Sequence, residues 1–275
     1  MKTYKQVFAE LAGEKRAAMI PFFVIGDPDF DTSLAVVKAA IDAGADILEL
    51  GIAFSDPIAD GPTIQKADIR AVKGGMNMQK ALEFIRQVKS YKDVPIGLLM
   101  YYNLIYQYGK QRFFEDFHAA GVNSVLVADL PIDNADEVLP AAQAAGMDTV
   151  FMVTPNTETK RTKRIASMTT GFIYAVSLLG VTGSRTALSD SVGGLVAGLK
   201  KITSVPVCVG FGISSPEHAS AVAAMGADGV IIGSKVVSLI EENLADKNKM
   251  LSAVSGFLKE VKKATGGKNS EYRIQ

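Results

Sequence analysis

Two acidic residues stand out in one short stretch of the chain. Glu49 interrupts an apolar run that has the pattern of a buried strand, and Asp60 lies in the loop that follows. Burial of a carboxylate is costly and raises its pKa toward neutrality, where the group can donate and accept a proton. We therefore interpret Glu49 as a general acid–base residue. The structural alternative is a glutamate whose carboxyl is satisfied by hydrogen bonds inside the core.

The loop after this strand reads Phe-Ser-Asp-Pro-Ile-Ala-Asp-Gly-Pro. Aspartate is common in turns, so Asp56 and Asp60 could serve only to bond the backbone. The loop is longer than a turn requires, however, and it also contains the apolar Phe54 and Ile58. Such a loop is suited to cover a site or to contact a partner. For Asp60, the sequence alone leaves the turn-forming and the functional interpretation open.

A second group of candidate residues is rich in glycine and lies late in the chain. Gly-Val-Thr-Gly-Ser begins at Gly180, Gly-Phe-Gly-Ile-Ser begins at Gly210, and Gly233-Ser234 follows the last apolar run. Glycine lets backbone N–H groups approach an anion closely, and a helix N-terminus favours negative charge. One glycine pair is weak support because turns also use glycine. Three such loops in succession predict a phosphate-binding site.

Regular elements must position these residues, and short apolar runs rich in β-branched residues predict parallel strands covered on both faces. Eight strands are expected, at about 18–24, 47–51, 95–100, 124–128, 148–153, 172–177, 206–210 and 229–232. Helical patterns lie between them, near 32–43, 78–90, 111–120, 135–145, 158–168, 193–202 and 216–225. Four of these helices end at a glycine that is expected to stop the helix in a left-handed conformation: Gly44, Gly121, Gly146 and Gly226.

Eight strands that alternate with helices predict an α/β fold, a (β/α)8 TIM barrel formed by residues 1–275 as a single domain. Tyr4, Val7, Phe8 and Leu11 have the spacing of an extra N-terminal helix that packs on the barrel. A short phosphate-binding helix is expected after strand 8. The competing fold is a doubly wound open sheet. It is disfavoured because the first strand–helix turn, Val-Ile-Gly-Asp-Pro, lacks the glycine fingerprint of a dinucleotide site.

Active sites of such barrels lie at the carboxyl ends of the strands. Strand alternation directs Ile47, Glu49 and Gly51 toward the barrel axis, and the leucines between them toward the helices. Several large apolar residues on the strands are candidates for a pocket that takes a flat ring, although each also suits ordinary packing. They are Phe22, Leu99, Tyr101, Leu126, Phe172, Tyr174 and Phe211.

The composition disfavours several classes of function. Lys plus Arg equals Asp plus Glu, 29 against 29, so no net charge attracts nucleic acid or an anionic membrane. The single cysteine, Cys208, excludes an internal disulfide, and two scattered histidines give no metal-binding pattern. The N-terminus lacks the apolar run of a signal peptide, and no segment reaches the roughly 18 apolar residues of a membrane span. We expect a soluble, cytoplasmic protein without a bound metal.

The sequence resembles the tryptophan synthase α subunit family from about Ile20 to Ser234. Residues 49–62 carry the most specific similarity, because Phe-Ser-Asp-Pro-x-Ala-Asp-Gly-Pro after a strand glutamate is typical of that family. The glycine pairs alone suit many phosphate-binding barrels. Further similar segments are residues 20–22, 26–28, 99–103, 129–131, 171–174, 180–183 and 210–214. Ala53 departs from the proline that is common in the family, which would leave the loop less restrained.

The resemblance implies reversible retro-aldol cleavage of indole-3-glycerol phosphate to indole and glyceraldehyde 3-phosphate. This reaction requires protonation of indole C3 and loss of a proton from the hydroxyl on the neighbouring carbon. By the same resemblance, Glu49 is the acid–base group. Asp60 would accept the indole N–H and stabilise the positive charge that develops on the ring nitrogen.

The resemblance also implies the remaining site residues and a partner. The indole ring would be surrounded by Phe22, Leu99, Tyr101, Leu126, Phe172 and Thr182, with Tyr174 close to the acid–base group. The phosphate would be held mainly by backbone groups of Gly183, Ser184, Phe211, Gly212, Gly233 and Ser234. This chain would bind no cofactor of its own. The implied partner is a pyridoxal-phosphate-dependent β subunit in an α2β2 tetramer, which receives the indole and faces the loop with Phe54 and Asp56.

Three alternatives remain open at the level of sequence. The chain could be a barrel lyase or isomerase that acts on another sugar phosphate. It could instead be a stand-alone indole-3-glycerol-phosphate lyase that needs no partner. The third alternative is a noncatalytic barrel that only binds or activates a partner protein.

Overall fold

Parallel strands form the centre of the molecule. A computed structural model describes residues 1–176, 185–210 and 212–266, without the side chains of residues 185–190. The strands in these ranges are β1 (Ala18–Val24), β2 (Leu48–Gly51), β3 (Ile96–Met100), β4 (Ser124–Val127), β5 (Asp148–Thr149), β6 (Phe151–Val153), β7 (Ile173–Val176), β8 (Val207–Gly210) and β9 (Gly229–Ile232). They form one sheet in the order β5-β4-β3-β2-β1-β9-β8-β7-β6, and all their pairings are parallel.

The two ends of this sheet are neighbours in the chain, and this closes the barrel. The predicted strand 148–153 is split at Val150: β5 pairs with β4, whereas β6 pairs with β7. The Val150 N–H still donates to the carbonyl of Val125 at 3.0 Å. One extended segment therefore exchanges its hydrogen-bonding partner from one neighbour to the other. The nine short strands correspond to the eight strands of a (β/α)8 barrel, as predicted.

Helices surround the sheet on its outer side. They are α1 (Tyr4–Gly13), α2 (Phe30–Asp42), α3 (Pro62–Lys73), α4 (Met78–Tyr91), α5 (Tyr102–Tyr108), α6 (Lys110–Ala120), a 3-10 helix (Ile132–Glu137), α7 (Leu139–Ala145), α8 (Thr159–Met168), α9 (Arg185–Ile202), α10 (Pro216–Ala224), α11 (Ser234–Glu241) and α12 (Lys247–Ala264). Gly121 and Gly146 end α6 and α7 in the left-handed conformation, as expected. No helix in the described ranges is long and apolar enough to cross a membrane.

Three of these helical segments were not predicted. The α3 helix begins directly after the acidic loop, where Pro62 occupies the first helical position and needs no N–H partner. Its buried face consists of one isoleucine, two alanines and an aspartate, so few large apolar residues mark this helix in the sequence. Both α5 and the 3-10 helix have seven residues or fewer, which is too short for a periodic pattern to be distinctive.

Strand alternation divides the core into an outer layer and a barrel interior. Leu48 and Leu50 are fully buried in the outer layer, against the helices. Ile47 packs in the interior with residues such as Ile20 and Leu126. Full burial of an aliphatic side chain contributes roughly 1.5–3 kcal/mol, so a one-residue slip of β2 would be strongly disfavoured. The register of β2 therefore keeps its glutamate on the inner face.

The α1 helix covers the N-terminal end of the barrel. Its capping box joins Thr3 and Gln6, and its four buried residues are the apolar ones noted in the sequence. The hydroxyl groups of Tyr4 and Ser124 are hydrogen-bonded at 2.7 Å, and the Tyr4 ring packs edge-on against Phe172 at 5.6 Å between centroids. Tyr4 therefore closes the floor of the barrel with both a polar and an aromatic contact.

Removal of the Tyr4 hydroxyl tests this contact. We expect Tyr4→Phe to lower the free energy of unfolding by about 1–2 kcal/mol, because the buried Ser124 hydroxyl loses its partner. The same change at Tyr106, which is 61% exposed, is the matched control and should have little effect. Urea unfolding curves of the two variants decide the point. Equal midpoints for both would contradict the assigned role of Tyr4.

Candidate active site

Glu49 lies in the middle of β2 and points into the barrel. Its neighbours in register are Phe22 on β1 and Gly97 on β3. The residue is only 4% exposed. A cavity of about 10 Å³ lies beside it and is also lined by Tyr4 and Phe172, which is at the lower limit for one water molecule. The inward orientation predicted from strand alternation is therefore confirmed.

Burial determines the protonation of Glu49. Desolvation, followed by the nearby charge of Asp60, raises the pKa of the Glu49 carboxyl to about 8. Both influences act in the same direction, so they add. The carboxyl is consequently protonated at neutral pH and can act as a proton donor.

Asp60 belongs to residues 52–61, which we call the catalytic loop and which connect β2 to α3. The Tyr101 hydroxyl donates to Asp60 Oδ2 at 2.6 Å and accepts from the Ala59 N–H at 3.0 Å. The Phe54 ring stacks on the Tyr101 ring at 5.0 Å. The Gln65 side chain donates to the backbone carbonyl of Asp60 at 2.8 Å. Tyr101 at the end of β3 therefore holds both ends of the loop.

The environment of Asp60 differs from that of Glu49. Partial burial raises the pKa of Asp60, but the hydrogen bond from Tyr101 opposes this effect by stabilising the ionised form. One carboxyl is thus buried in the barrel interior, and the other is half-buried and accepts a hydrogen bond from a hydroxyl group. Such a difference separates an acid from an anion within one site.

Glycines on neighbouring strands make room for the aromatic residues near Glu49. A Cβ atom at Gly51 would lie 2.8 Å from the Phe22 ring, and one at Gly210 would lie 2.4 Å from the Tyr174 hydroxyl oxygen. Neither distance is compatible with a side chain at these glycines. The charge of Glu49 contributes to the raised pKa of Tyr174, so the two side chains are close together. These rings form one wall of the site.

The remaining residues proposed for a flat ring lie at different depths. Leu99 and Leu126 are paired in register on β3 and β4. Phe172 precedes β7 and packs against Tyr4, so it belongs to the floor rather than to the upper rim. A second cavity, of about 250 Å³, opens where β4 and β6 end, and Leu126 lines both cavities. Apolar surface therefore extends from the floor to the carboxyl ends of the strands.

The described part of the candidate phosphate site follows the carboxyl ends of two adjacent strands, β8 and β9. Gly212 is exposed after β8 and has a φ of 76°. Gly233 precedes α11 without a side-chain cap, and Ser234 begins that helix in an exposed position. The first N–H groups of such a helix are available to an anion. Thr182, Gly183, Ser184 and Phe211 lie outside the described residues.

The outer face of the catalytic loop is exposed. Asp56 is exposed, and Ile58 is 84% exposed, the highest value among the large apolar residues described. Phe54, which the sequence analysis grouped with Asp56, is half-buried and turned inward onto Tyr101. The two residues therefore lie in different environments: Phe54 anchors the loop and Asp56 faces outward.

The structure adds charged residues that sequence reasoning missed. Arg70 on α3 donates to both oxygens of Asp27, at 2.6 and 3.0 Å, and lies 3.7 Å from Glu241 on α11. This network joins the helix after the catalytic loop to the turn after β1 and to α11. Asp68 on α3 is also buried. Its sequence signal was its spacing of four residues from the buried Ile64, on the apolar stripe of a helix that was not predicted.

Fold and site together define the class of protein. It is a (β/α)8 barrel with a protonated acid in its interior, a second carboxyl above it and exposed helix N–H groups at the carboxyl ends of its strands. Among the residues that the structure describes, no group of three or more His, Cys, Asp or Glu side chains could hold a metal ion. The chemistry available to these side chains is proton transfer combined with charge stabilisation.

Comparisons with known proteins give the family. The sequence profile described as tryptophan synthase alpha chain matches residues 8–266. The chain is 44% identical to the tryptophan synthase alpha chain of Methanothermobacter thermautotrophicus over 96% of its own length and 97% of that protein. It is 45% identical to the one from Desulfatibacillum aliphaticivorans, over 97% of its own length and 100% of that protein. The chain belongs to the tryptophan synthase alpha chain family.

Solved structures agree with this assignment. The crystal structure of tryptophan synthase subunit alpha from Legionella pneumophila superposes with a TM-score of 0.89 at 31% identity, covering 96% of this chain and 98% of that one. A chain of the tryptophan synthase complex from Pyrococcus furiosus superposes with a TM-score of 0.80 at 38% identity, covering 90% and 98%. The barrel predicted from the sequence is thus confirmed as the fold.

The raised pKa of Glu49 predicts how stability depends on pH. A carboxyl whose pKa is higher in the folded than in the unfolded state contributes stability at low pH that is lost as the pH rises through the folded value. The wild type should therefore lose stability relative to Glu49→Gln between about pH 5 and pH 9, approaching roughly 5 kcal/mol above both pKa values.

Urea unfolding of wild type and Glu49→Gln at about pH 5 and about pH 9 measures this difference in stability. Glu83→Gln, at an exposed position, is the matched control and should show no such trend. If the stability difference between wild type and Glu49→Gln were the same at both pH values, the assigned protonation of Glu49 would be wrong.

Proposed function

We propose that this chain catalyses the reversible cleavage of indole-3-glycerol phosphate to indole and glyceraldehyde 3-phosphate. The observation that carries the proposal is the pair of carboxyls in unlike environments: Glu49 is buried and protonated, and Asp60 is held by the Tyr101 hydroxyl. Membership of the tryptophan synthase alpha chain family supports the same reaction.

The reaction needs a proton at carbon and loses one at oxygen. Protonated Glu49 donates to indole C3, and the ring nitrogen then carries positive charge. Asp60 accepts the indole N–H and stabilises that charge. The bond between C3 and the side chain breaks as the neighbouring hydroxyl loses its proton and becomes the aldehyde carbonyl. The ionised Glu49 takes up this proton, so the enzyme ends the cycle as it began.

Binding residues act at the two ends of the substrate. Phe22, Leu99, Leu126 and Tyr174 would contact the indole ring, and Phe172 would support it from below. Backbone groups of Gly212, Gly233 and Ser234 would hold the phosphate at the start of α11, where orphan N–H groups and the helix dipole favour an anion. We expect Thr182, Gly183, Ser184 and Phe211 to complete the pockets.

We further propose a tryptophan synthase β subunit as the partner, in an α2β2 assembly. Pyridoxal phosphate would belong to that subunit, because the proposed cleavage requires only the side chains named above. The exposed face of the catalytic loop, with Asp56 and Ile58, suits a protein contact. A cytoplasmic location fits the single, buried free thiol of Cys208.

An indole-release assay with and without a β subunit tests the proposal. Glu49→Gln should lower kcat by about 10²–10⁴, because it removes the proton donor. Asp60→Asn should also lower kcat, because the neutral amide stabilises positive charge less well. Glu83→Gln is the control and should match the wild type.

The same assay separates the competing functions. Normal turnover of Glu49→Gln would contradict the assignment of Glu49 as the acid–base residue. Full activity of the isolated chain, unchanged by the β subunit, would indicate a stand-alone lyase. Turnover of another sugar phosphate instead would indicate a different barrel enzyme, and no turnover even with the partner would indicate a noncatalytic role.

The pH dependence of the forward reaction provides an independent measurement. Because the reactive form of Glu49 carries its proton, kcat/KM should fall tenfold per unit once the pH exceeds about 8. The decisive measurement is kcat/KM from pH 6 to pH 10 in the complex. A rate that stays constant to pH 10 would show that a protonated Glu49 is not required.

A further inference from the structure

Asp68 is a third carboxyl near the site, and the mechanism above does not use it. It lies on the buried stripe of α3 and is only 5% exposed. Within residues 1–176, 185–210 and 212–266, no group forms a hydrogen bond with its Oδ2 atom. No cation in the described part of the chain pairs with it, since Arg70 on the same helix bonds to Asp27. A charged carboxylate in this position would be costly, so the residue needs an explanation.

The groups that face Asp68 come from three directions. Asp60 and the backbone N–H of Phe54 belong to the catalytic loop, and both influence the Asp68 carboxyl. Asp27 reaches it from the turn after β1, and Tyr101 from the end of β3. Asp68 therefore lies under the catalytic loop, at the point where the chain leaves β2.

One further charged group lies on the neighbouring α11 helix. Glu241 is paired with Lys66 at 3.0 Å and lies close to Arg70. Two cations of α3, Lys66 and Arg70, are thus already engaged with other carboxyls. Among the described residues, the group that favours the ionised form of Asp68 is the Phe54 N–H. Negative charge predominates around this residue.

The carboxyl groups of Asp60 and Asp68 differ in their hydrogen bonding and therefore in their affinity for a proton. Asp60 accepts a hydrogen bond from the Tyr101 hydroxyl, whereas Oδ2 of Asp68 has no hydrogen-bond partner among the residues that the structure describes. Burial, and then the charge of Asp60, raises the pKa of Asp68 to about 7, although the Phe54 N–H opposes this shift. When two neighbouring carboxyls differ in this way, the unpartnered one retains the proton and the partnered one becomes the anion.

We propose that Asp68 is a positioning residue for the cleavage of indole-3-glycerol phosphate: its carboxyl supports the start of the catalytic loop at the Phe54 N–H, and by holding a proton it leaves Asp60 as the anion that meets the indole nitrogen. The inference rests on the proposed function. Asp68 acts through Phe54 and Asp60 and does not touch the substrate. Ionisation of Asp68 places a second negative charge below Asp60 and disturbs the loop.

Two substitutions at Asp68 distinguish its hydrogen bond to the catalytic loop from the effect of its charge on Asp60. Asp68→Asn has nearly the same shape, retains an oxygen that can accept from Phe54, and is neutral at every pH. Asp68→Ala removes the acceptor. Asp31→Asn, at an exposed aspartate of α2, is the matched control. The rate of indole release is measured in the complex with a β subunit from pH 5.5 to pH 9.

The expected results follow from the two roles. At pH 6, Asp68→Asn should retain kcat within about twofold, whereas Asp68→Ala should lose on the order of tenfold in kcat with KM changed much less, because the loop is misplaced. As the pH rises through about 7, the rate of Asp68→Asn relative to wild type should increase severalfold, because only the wild type acquires the second charge.

Several outcomes would overturn the proposal. These are an Asp68→Ala variant that matches Asp31→Asn at every pH, an Asp68→Asn variant as impaired at pH 6 as Asp68→Ala, or a ratio of Asp68→Asn to wild type that is independent of pH. If Asp68→Ala fails to fold, the pH series of Asp68→Asn still decides.

Infrared spectroscopy supplies a readout that needs no activity. The difference between the spectra of the full-length wild type and Asp68→Asn should contain the C=O stretch of a protonated carboxyl at pH 6, and this band should vanish as the pH rises through about 7. Absence of the band at pH 6 would overturn the proposal. If the wild type instead shows the band but releases no indole, the proposed function fails while the protonation of Asp68 stands.

Discussion

The burial of Glu49 in the barrel interior is the constraint on which the site depends. The barrel interior desolvates this carboxyl and keeps it protonated at neutral pH. The surrounding structure maintains this state. Leucines on the outer face of β2 hold its register, and Tyr4 closes the floor of the barrel, where Gly97 leaves space for its hydroxyl group. The buried, protonated Glu49 lowers the free energy of unfolding at neutral pH, and in return the site contains a proton donor.

The second constraint concerns the catalytic loop, whose placement depends on contacts at both ends. Tyr101 bonds to Asp60 and Ala59 and stacks on Phe54. After the loop, α3 is tied to the rest of the barrel by the ion pair of Arg70 and Asp27. With Asp68 below the loop, three carboxyls lie within one electrostatic unit. Their unequal hydrogen bonding gives each a different tendency to hold a proton.

Much of the architecture could be predicted because parallel strands that are buried on both faces appear in the sequence as short apolar runs. The predicted strand boundaries agree with the structure to within one or two residues for most strands. The split of the fifth strand at Val150 could not be predicted, because it depends on which neighbour receives each hydrogen bond. The α3 helix was missed because its buried face has few large apolar residues, and Asp68 was missed with it.

By itself, the sequence determined the inward direction of Glu49, through the two-residue period of a strand, and the presence of a second acid eleven residues later. It also carried the glycines that end the strands beside the rings. Only the tertiary structure decided that Tyr101 would partner Asp60 and that Phe54 would turn inward. It also decided that Asp68 would be buried with one oxygen unpartnered among the described residues. Desolvation and charge coupling arise from residues far apart in the chain, so no local pattern can specify them.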